Sequence, residues 1–236
     1  MLTADHHKQL AERGFLVLPD LLHDSLLSRL RLEAEAVARQ ELVAGAAFEG
    51  LVCDVVQRNP VLSELSRSKA LTGVARELIN GATFFGGDLF RVQAGTGQRY
   101  WHRDPIKHQL GAQEARSIEI QRIERSRSND GLVPVPLPPH AGYLQITFTV
   151  YLQDVSLDEG PLHILLGSHR WPYRDHTSID EPYYLEQRPL DGEVALPCRA
   201  GDVIVQVPAI WHTGSANRGS HDCYMLLLDF GPGASA

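Results

Sequence analysis

The residues with the clearest chemical potential are His102 and Asp104, which flank Arg103 in segment 101–105. On a β-strand, residues i and i+2 point to the same side, so this pair can offer an imidazole and a carboxylate to one metal ion. Two histidines and a carboxylate form the facial triad of non-haem iron(II) centres. The triplet alone is also typical of a strand with a surface histidine, so a further ligand is needed.

The best candidate for the third ligand is His212, which follows the strand-like segment 202–207. Its competitor is His169, in the sequence Gly167-Ser168-His169. A histidine in a Gly-Ser turn is as often a surface or capping residue as a ligand. The sequence therefore favours His102, Asp104 and His212 as the metal ligands.

Segment 143–153 alternates between polar and apolar residues, which is typical of a strand with two different faces. Its apolar residues should meet the core. Its polar face either meets solvent or lines a cavity that holds a polar ligand, and the tyrosines at both ends favour the cavity. The candidate cofactor-binding residues on this face are Gln145, Thr147 and Thr149.

The pattern of elements predicts a mainly β protein, a barrel or sandwich with helices packed outside it. Helices are expected over 3–13, 26–43 and 61–79. Strands are expected near 15–18, 83–93, 100–104, 117–124, 143–153, 161–166, 193–198, 202–207 and 223–230. We expect a single domain over 1–236, with a helical part at 1–82, a β core at 83–236 and a loop at 105–140.

The composition narrows the function classes. The 236 residues include 22 Lys+Arg and 29 Asp+Glu, and a net charge of -7 argues against a general nucleic-acid binder. The sequence shows no signal peptide and no membrane-spanning run. Three distant cysteines without a CxxC motif favour a reducing compartment. We therefore expect a cytoplasmic protein that acts on a small molecule, with its oligomeric state open.

Four segments, in the same order, resemble the phytanoyl-CoA dioxygenase family of iron(II)/2-oxoglutarate oxygenases. They are LTADHHKQLAERGFLVLPDLL, YWHRDP, YLQDVSLDEGPLHILLGSHRW and AGDVIVQVPAIWHTGSAN. The resemblance implies a double-stranded β-helix in which His102, Asp104 and His212 hold iron(II). It also implies that the protein uses 2-oxoglutarate and O2 to oxidise, and most simply to hydroxylate, a C–H bond of a small organic substrate.

The sequence departs from the family at the arginine that pairs with the far carboxylate of 2-oxoglutarate. The family places it about ten residues after the distal histidine, where this chain has none; Arg218 is the nearest, and Arg91 and Arg122 are fallback anchors. The departure supports one alternative, a redox-neutral metal-dependent isomerase or lyase of the same fold without 2-oxoglutarate. A second alternative is a non-catalytic binding protein in which the His-x-Asp triplet is accidental. The presence of Asp104 argues against a halogenase.

Overall fold

The computed structural model describes residues 1–42, 50–96, 101–104, 143, 145–170 and 192–233. The helices are α1 (Ala4–Arg13), α2 (Asp24–Glu41), α3 (Val55–Arg58), α4 (Ser63–Ser66) and α5 (Lys69–Leu78). The strands are β1 (Phe15–Leu18), β2 (Leu51–Val52), β3 (Ala82–Val92), β4 (Ile146–Tyr151), β5 (Leu162–Leu165), β6 (Glu193–Leu196), β7 (Val203–Gln206), β8 (His212–Thr213) and β9 (Cys223–Pro232). None of these helices combines the length and apolarity needed to cross a membrane.

The strands form two antiparallel sheets. The larger sheet has the order β1-β7-β4-β9-β3-β2, and the smaller sheet has the order β6-β5-β8. The Tyr151 hydroxyl of the larger sheet accepts a 2.8 Å hydrogen bond from the Leu162 backbone amide of the smaller sheet. This pair of sheets is the double-stranded β-helix expected from the sequence.

The two faces of the larger sheet differ in chemistry. Its outer face is apolar: Ile146, Phe148 and Val150 of β4 are completely buried. Helix α2 contacts β3 and β9 of this sheet. The helix buries the face predicted from its periodicity, whereas Leu32, which falls off that face, is 68% exposed.

The prediction of one helix over 61–79 is wrong, because the chain forms α4 and α5 there. The Ser66 hydroxyl donates a hydrogen bond to the Ser63 carbonyl, and Ser68 has the extended ψ of 130°. Serine side chains offer the backbone alternatives to helical hydrogen bonds, which a periodicity of apolar residues does not reveal. Segment 101–104 forms a single bridge rather than the expected strand. Strand 117–124 and loop 105–140 fall outside the described residues.

Helix α1 is bounded as the sequence predicts. The Thr3 hydroxyl caps its amino end, and Gly14 ends it with a φ of 85°. A Cβ atom at Gly14 would lie 2.5 Å from Nδ1 of His169, so the turn needs glycine for its space as well as its conformation. The turn after α1 is therefore packed directly against the segment that follows β5.

A comparison of two glycines tests this packing. Gly14 and Gly81 both have positive φ, but a Cβ at Gly81 would meet nothing within 4 Å. The Gly81→Ala variant should lose only the cost of the left-handed conformation, about 1–2 kcal/mol. The Gly14→Ala variant should lose about 1–3 kcal/mol more, because the methyl group overlaps the imidazole. Free energies of unfolding from urea titrations check this, and equal losses would contradict it.

Candidate metal centre

The two predicted histidine ligands are held side by side by backbone pairing. The His102 amide donates to the His212 carbonyl at 2.9 Å, and the His212 amide donates to the His102 carbonyl at 3.0 Å. Their ring centroids are consequently 4.2 Å apart. The bridge therefore joins two residues that are distant in the chain into one site.

Asp104 completes the group. Its amide donates to the Pro208 carbonyl at 3.0 Å, which fixes its backbone beside the segment that leads into β8. Its Oδ1 atom lies 3.9 Å from Nε2 of His102 and 3.8 Å from Nε2 of His212. All three ligand atoms lie within 4.8 Å of one another.

This arrangement fits a metal ion. Metal bonds to histidine nitrogen and carboxylate oxygen are about 2.0–2.2 Å long, so two ligands of one ion lie about 3 Å apart at right angles and at most about 4.2 Å apart. Both distances from Asp104 are below that maximum, and the side chains would close by about 0.8 Å on an ion held in facial geometry. The side chains of His102 and His212 are 39% and 8% exposed, so the group is accessible from the His102 side.

The tautomer of His212 suits metal binding. Its Nδ1 lies 3.1 Å from the Ile210 carbonyl, an acceptor, and therefore carries the proton that forms this hydrogen bond. The Nε2 lone pair is then directed towards Asp104 and available to a metal. A hydrogen bond of this kind fixes the tautomer and the orientation of the ring.

His169, the competing histidine, lies elsewhere. Its Nε2 is 3.0 Å from the Ala11 carbonyl at the end of α1, and its side chain is buried. Burial lowers the pKa of His169, because the imidazolium form would lose its hydration, although the bond to Ala11 opposes this shift. His169 therefore links β5 to the amino-terminal helix rather than contributing to the three-residue group.

The predicted cofactor-binding residues lie on the inner face of the larger sheet, the face opposite α2. Gln145, Thr147 and Thr149 are at most 3% exposed, so this face does not meet bulk solvent. The Thr147 hydroxyl of β4 donates a 2.6 Å hydrogen bond to Oδ1 of Asp229, the residue opposite it on the neighbouring strand β9. Thr147 is also paired with Gln206, whose amide reaches towards Asp104. The polar strand face is thus on the side of the ligand group.

The candidate arginines lie in different places. Arg218 is exposed, and its backbone amide donates to the Asp158 carbonyl. Arg91 pairs with Tyr224, next to the inner-face pair of Val92 and Cys223, and neighbouring pairs point to opposite faces. Arg91 therefore lies on the outer face, with its Nε 3.7 Å from Oδ2 of Asp222. Arg122 falls outside the described residues. Arg91 is therefore poorly placed to reach a molecule at the ligand group.

Sequence reasoning missed two buried polar residues of the inner face, Gln206 and Asp229. Both stand in otherwise apolar strands, VIVQ and CYMLLLDFGP. A single polar residue in such a strand is a usable signal, because burying a polar group has a cost that an apolar side chain would avoid. Cys223 also lies on the inner face and is 2% exposed, and burial raises the pKa of its thiol.

Two histidines and an aspartate inside a double-stranded β-helix define the class of non-haem iron enzymes with a facial triad. Residues 10–222 match the family model described as phytanoyl-CoA dioxygenase (PhyH). The chain belongs to this family, which confirms the resemblance drawn from the four sequence segments. The family consists of enzymes that use iron(II), 2-oxoglutarate and O2, so the cofactor prediction is confirmed as well.

Similar proteins act in different ways. An L-proline trans-4-hydroxylase from Streptomyces griseoviridis is 26% identical over 92% of this chain and 82% of its own length. The fold is similar to HygX from Streptomyces hygroscopicus, solved with nickel, 2-oxoglutarate and hygromycin B, with a TM-score of 0.71, 18% identity and coverage of 99% and 88%. It is also similar to SnoN, a non-haem α-ketoglutarate-dependent epimerase from nogalamycin biosynthesis, with a TM-score of 0.69, 15% identity and coverage of 97% and 80%.

The environment of His169 predicts a pH dependence of stability. Its pKa in the folded protein is below the ordinary value of 6.5, so the unfolded chain binds the proton more readily. The contribution of the neutral His169 to the free energy of unfolding is therefore fully present above about pH 6.5, the pKa of the unfolded chain. It is lost as the pH falls through the lower pKa of the folded state. His169→Gln keeps a donor for the Ala11 carbonyl but removes the titration. Urea unfolding at several pH values should show a shallower acid loss in His169→Gln, and an identical slope would contradict the assignment.

Proposed function

We propose that this protein is an iron(II)- and 2-oxoglutarate-dependent oxygenase that oxidises, and most simply hydroxylates, a C–H bond of a small organic molecule. The observation that carries the proposal is the convergence of His102, Asp104 and His212 on one point inside the β-helix. Family membership supports the cofactor set, and a proline hydroxylase among the relatives supports the reaction type.

Each residue of the proposed site has a distinct role. His102, Asp104 and His212 would hold iron(II), which would supply the redox chemistry with O2. His212 presents Nε2 because Ile210 occupies its Nδ1 proton. Asp104 presents Oδ1 towards both histidines. Thr147 and Thr149 line a wall that is shielded from water, which strengthens polar interactions at the site.

The same wall is our proposed binding surface for 2-oxoglutarate, with Gln145, Thr147 and Thr149 as hydrogen-bonding groups and Arg218 as the cation. The backbone amide of Arg218 donates to the Asp158 carbonyl, but its exposed side chain can adopt other rotamers without moving the backbone. Arginine suits a carboxylate because its two parallel N–H groups bind both oxygens.

A second candidate function is a redox-neutral isomerase or lyase that keeps the metal but departs from its family in not using 2-oxoglutarate. The observation that favours it is the absence of Lys and Arg from the inner face of the larger sheet, as far as the structure describes it. Consumption of 2-oxoglutarate by the iron-loaded enzyme separates this candidate from the oxygenase. A non-catalytic binding protein would differ from both in its metal content.

Metal content is the first measurement. The wild-type protein, loaded anaerobically, should hold one iron(II) per chain, because one triad is one site. His102→Ala, Asp104→Ala and His212→Ala should each lose most of this iron and keep the fold by circular dichroism. His169→Gln is the matched control and should keep its iron. Equal iron in the wild type and all three triad variants would overturn the site.

Anaerobic titration of 2-oxoglutarate into the iron(II) protein tests Arg218. Loss of one partner of a desolvated charge pair costs roughly 3–5 kcal/mol, so Arg218→Ala should weaken binding by about two to three and a half decades. Arg218→Lys should recover part of the loss, since lysine offers a point charge without the planar fork. Arg199→Ala, another exposed arginine, is the control. A change within about fivefold for Arg218→Ala would move the anchor to Arg122.

A further inference from the structure

The two oxygens of Asp104 have different surroundings. Oδ1 lies between the two histidine Nε2 atoms, at 3.9 and 3.8 Å. Oδ2 lies 3.5 Å from Nε2 of Gln206, a side chain that is only 2% exposed. This hydrogen bond is long, as such bonds often are at an active site before its ligands bind. The carboxylate therefore presents one oxygen to the histidines and the other to Gln206.

The larger sheet fixes the position of Gln206. The residue ends β7, where it is paired with Phe15 on one side and Thr147 on the other. Two residues later, the Pro208 carbonyl accepts the hydrogen bond from the Asp104 amide. One short segment, 206–208, thus holds the backbone of Asp104 by a carbonyl and its carboxylate by a side-chain amide.

The side-chain amide of Gln206 lowers the stability of the fold. Oε1 of Gln206 is buried and finds no hydrogen-bond partner within the described part of the chain. An unsatisfied buried acceptor costs about 1–3 kcal/mol, which a leucine or methionine of similar size would avoid. The donor end of the amide is the part with a defined partner, and that partner is Asp104.

We propose that Gln206 is a positioning residue that ties back Oδ2 of Asp104, so that the aspartate gives iron(II) a single oxygen. A carboxylate that is free to rotate can bind with both oxygens and occupy a second coordination position. Holding Oδ2 away keeps that position for the molecules that must reach the metal. The inference rests on the proposed metal site and adds a determinant of its coordination number.

The test is the affinity for iron(II) alone, measured anaerobically without 2-oxoglutarate. Gln206→Met keeps the volume and removes the donor, and Gln206→Asn keeps an amide but withdraws it by one methylene group. Loss of a partner that orients a metal ligand typically weakens metal binding by about 10- to 100-fold, and we expect this loss in both variants. X-ray absorption should also show a change in the number or length of the iron–oxygen bonds.

Gln153→Met is the control, because both amide atoms of Gln153 are buried but form no hydrogen bond to Asp104 within the described part of the chain. It should bind iron(II) alone as the wild type does. Wild-type affinity and an unchanged iron–oxygen shell in either folded Gln206 variant would overturn the positioning role and leave the metal site intact. A wild-type protein that binds no iron would overturn the proposed function as well.

Discussion

The site depends on the backbone bridge between His102 and His212. Two hydrogen bonds, of 2.9 and 3.0 Å, join segment 101–104 to the short strand β8, and among the described residues this segment has no other strand pairing. Each residue of such a pair is held opposite its partner, so both imidazoles emerge at one level of the barrel. Asp104, two residues further, is then fixed by Pro208 on the chain leading to β8. The geometry of the ligands is therefore a property of the pairing rather than of any ligand alone.

The larger sheet supports this arrangement through the difference between its faces. The outer face packs against helices and supplies the apolar burial that stabilises the domain. The inner face buries Gln145, Thr147, Gln206 and Asp229, which costs free energy and is offset in part by hydrogen bonds among them. These buried polar side chains extend to Asp104. They are the kind of surface that a binding site for polar molecules requires.

The helical segment at the amino end is also tied to the barrel near the site. His169 fills the space left by Gly14, and its Nε2 contacts the Ala11 carbonyl. The Ser168 hydroxyl accepts a hydrogen bond from the backbone amide of Trp211, the residue before His212. The Gly-Ser-His sequence thus connects α1, β5 and the distal ligand segment. Its histidine is buried, and burial lowers its pKa, which explains how a ligand-like residue can be structural.

The sequence by itself determined the class of fold, the two faces of β4, the buried face of α2 and the types of residue that could bind iron. These properties follow from local periodicity and from motif order, which are present in the chain before it folds. The sequence also favoured His212 over His169 as the third ligand. Tertiary structure decided that His169 packs against α1, that Arg91 lies on the outer face and that Gln206 reaches Asp104. It also divided the helix expected over 61–79. Each of these depends on the register between distant strands, or on side-chain hydrogen bonds, and a shift of one residue in register moves a side chain to the opposite face.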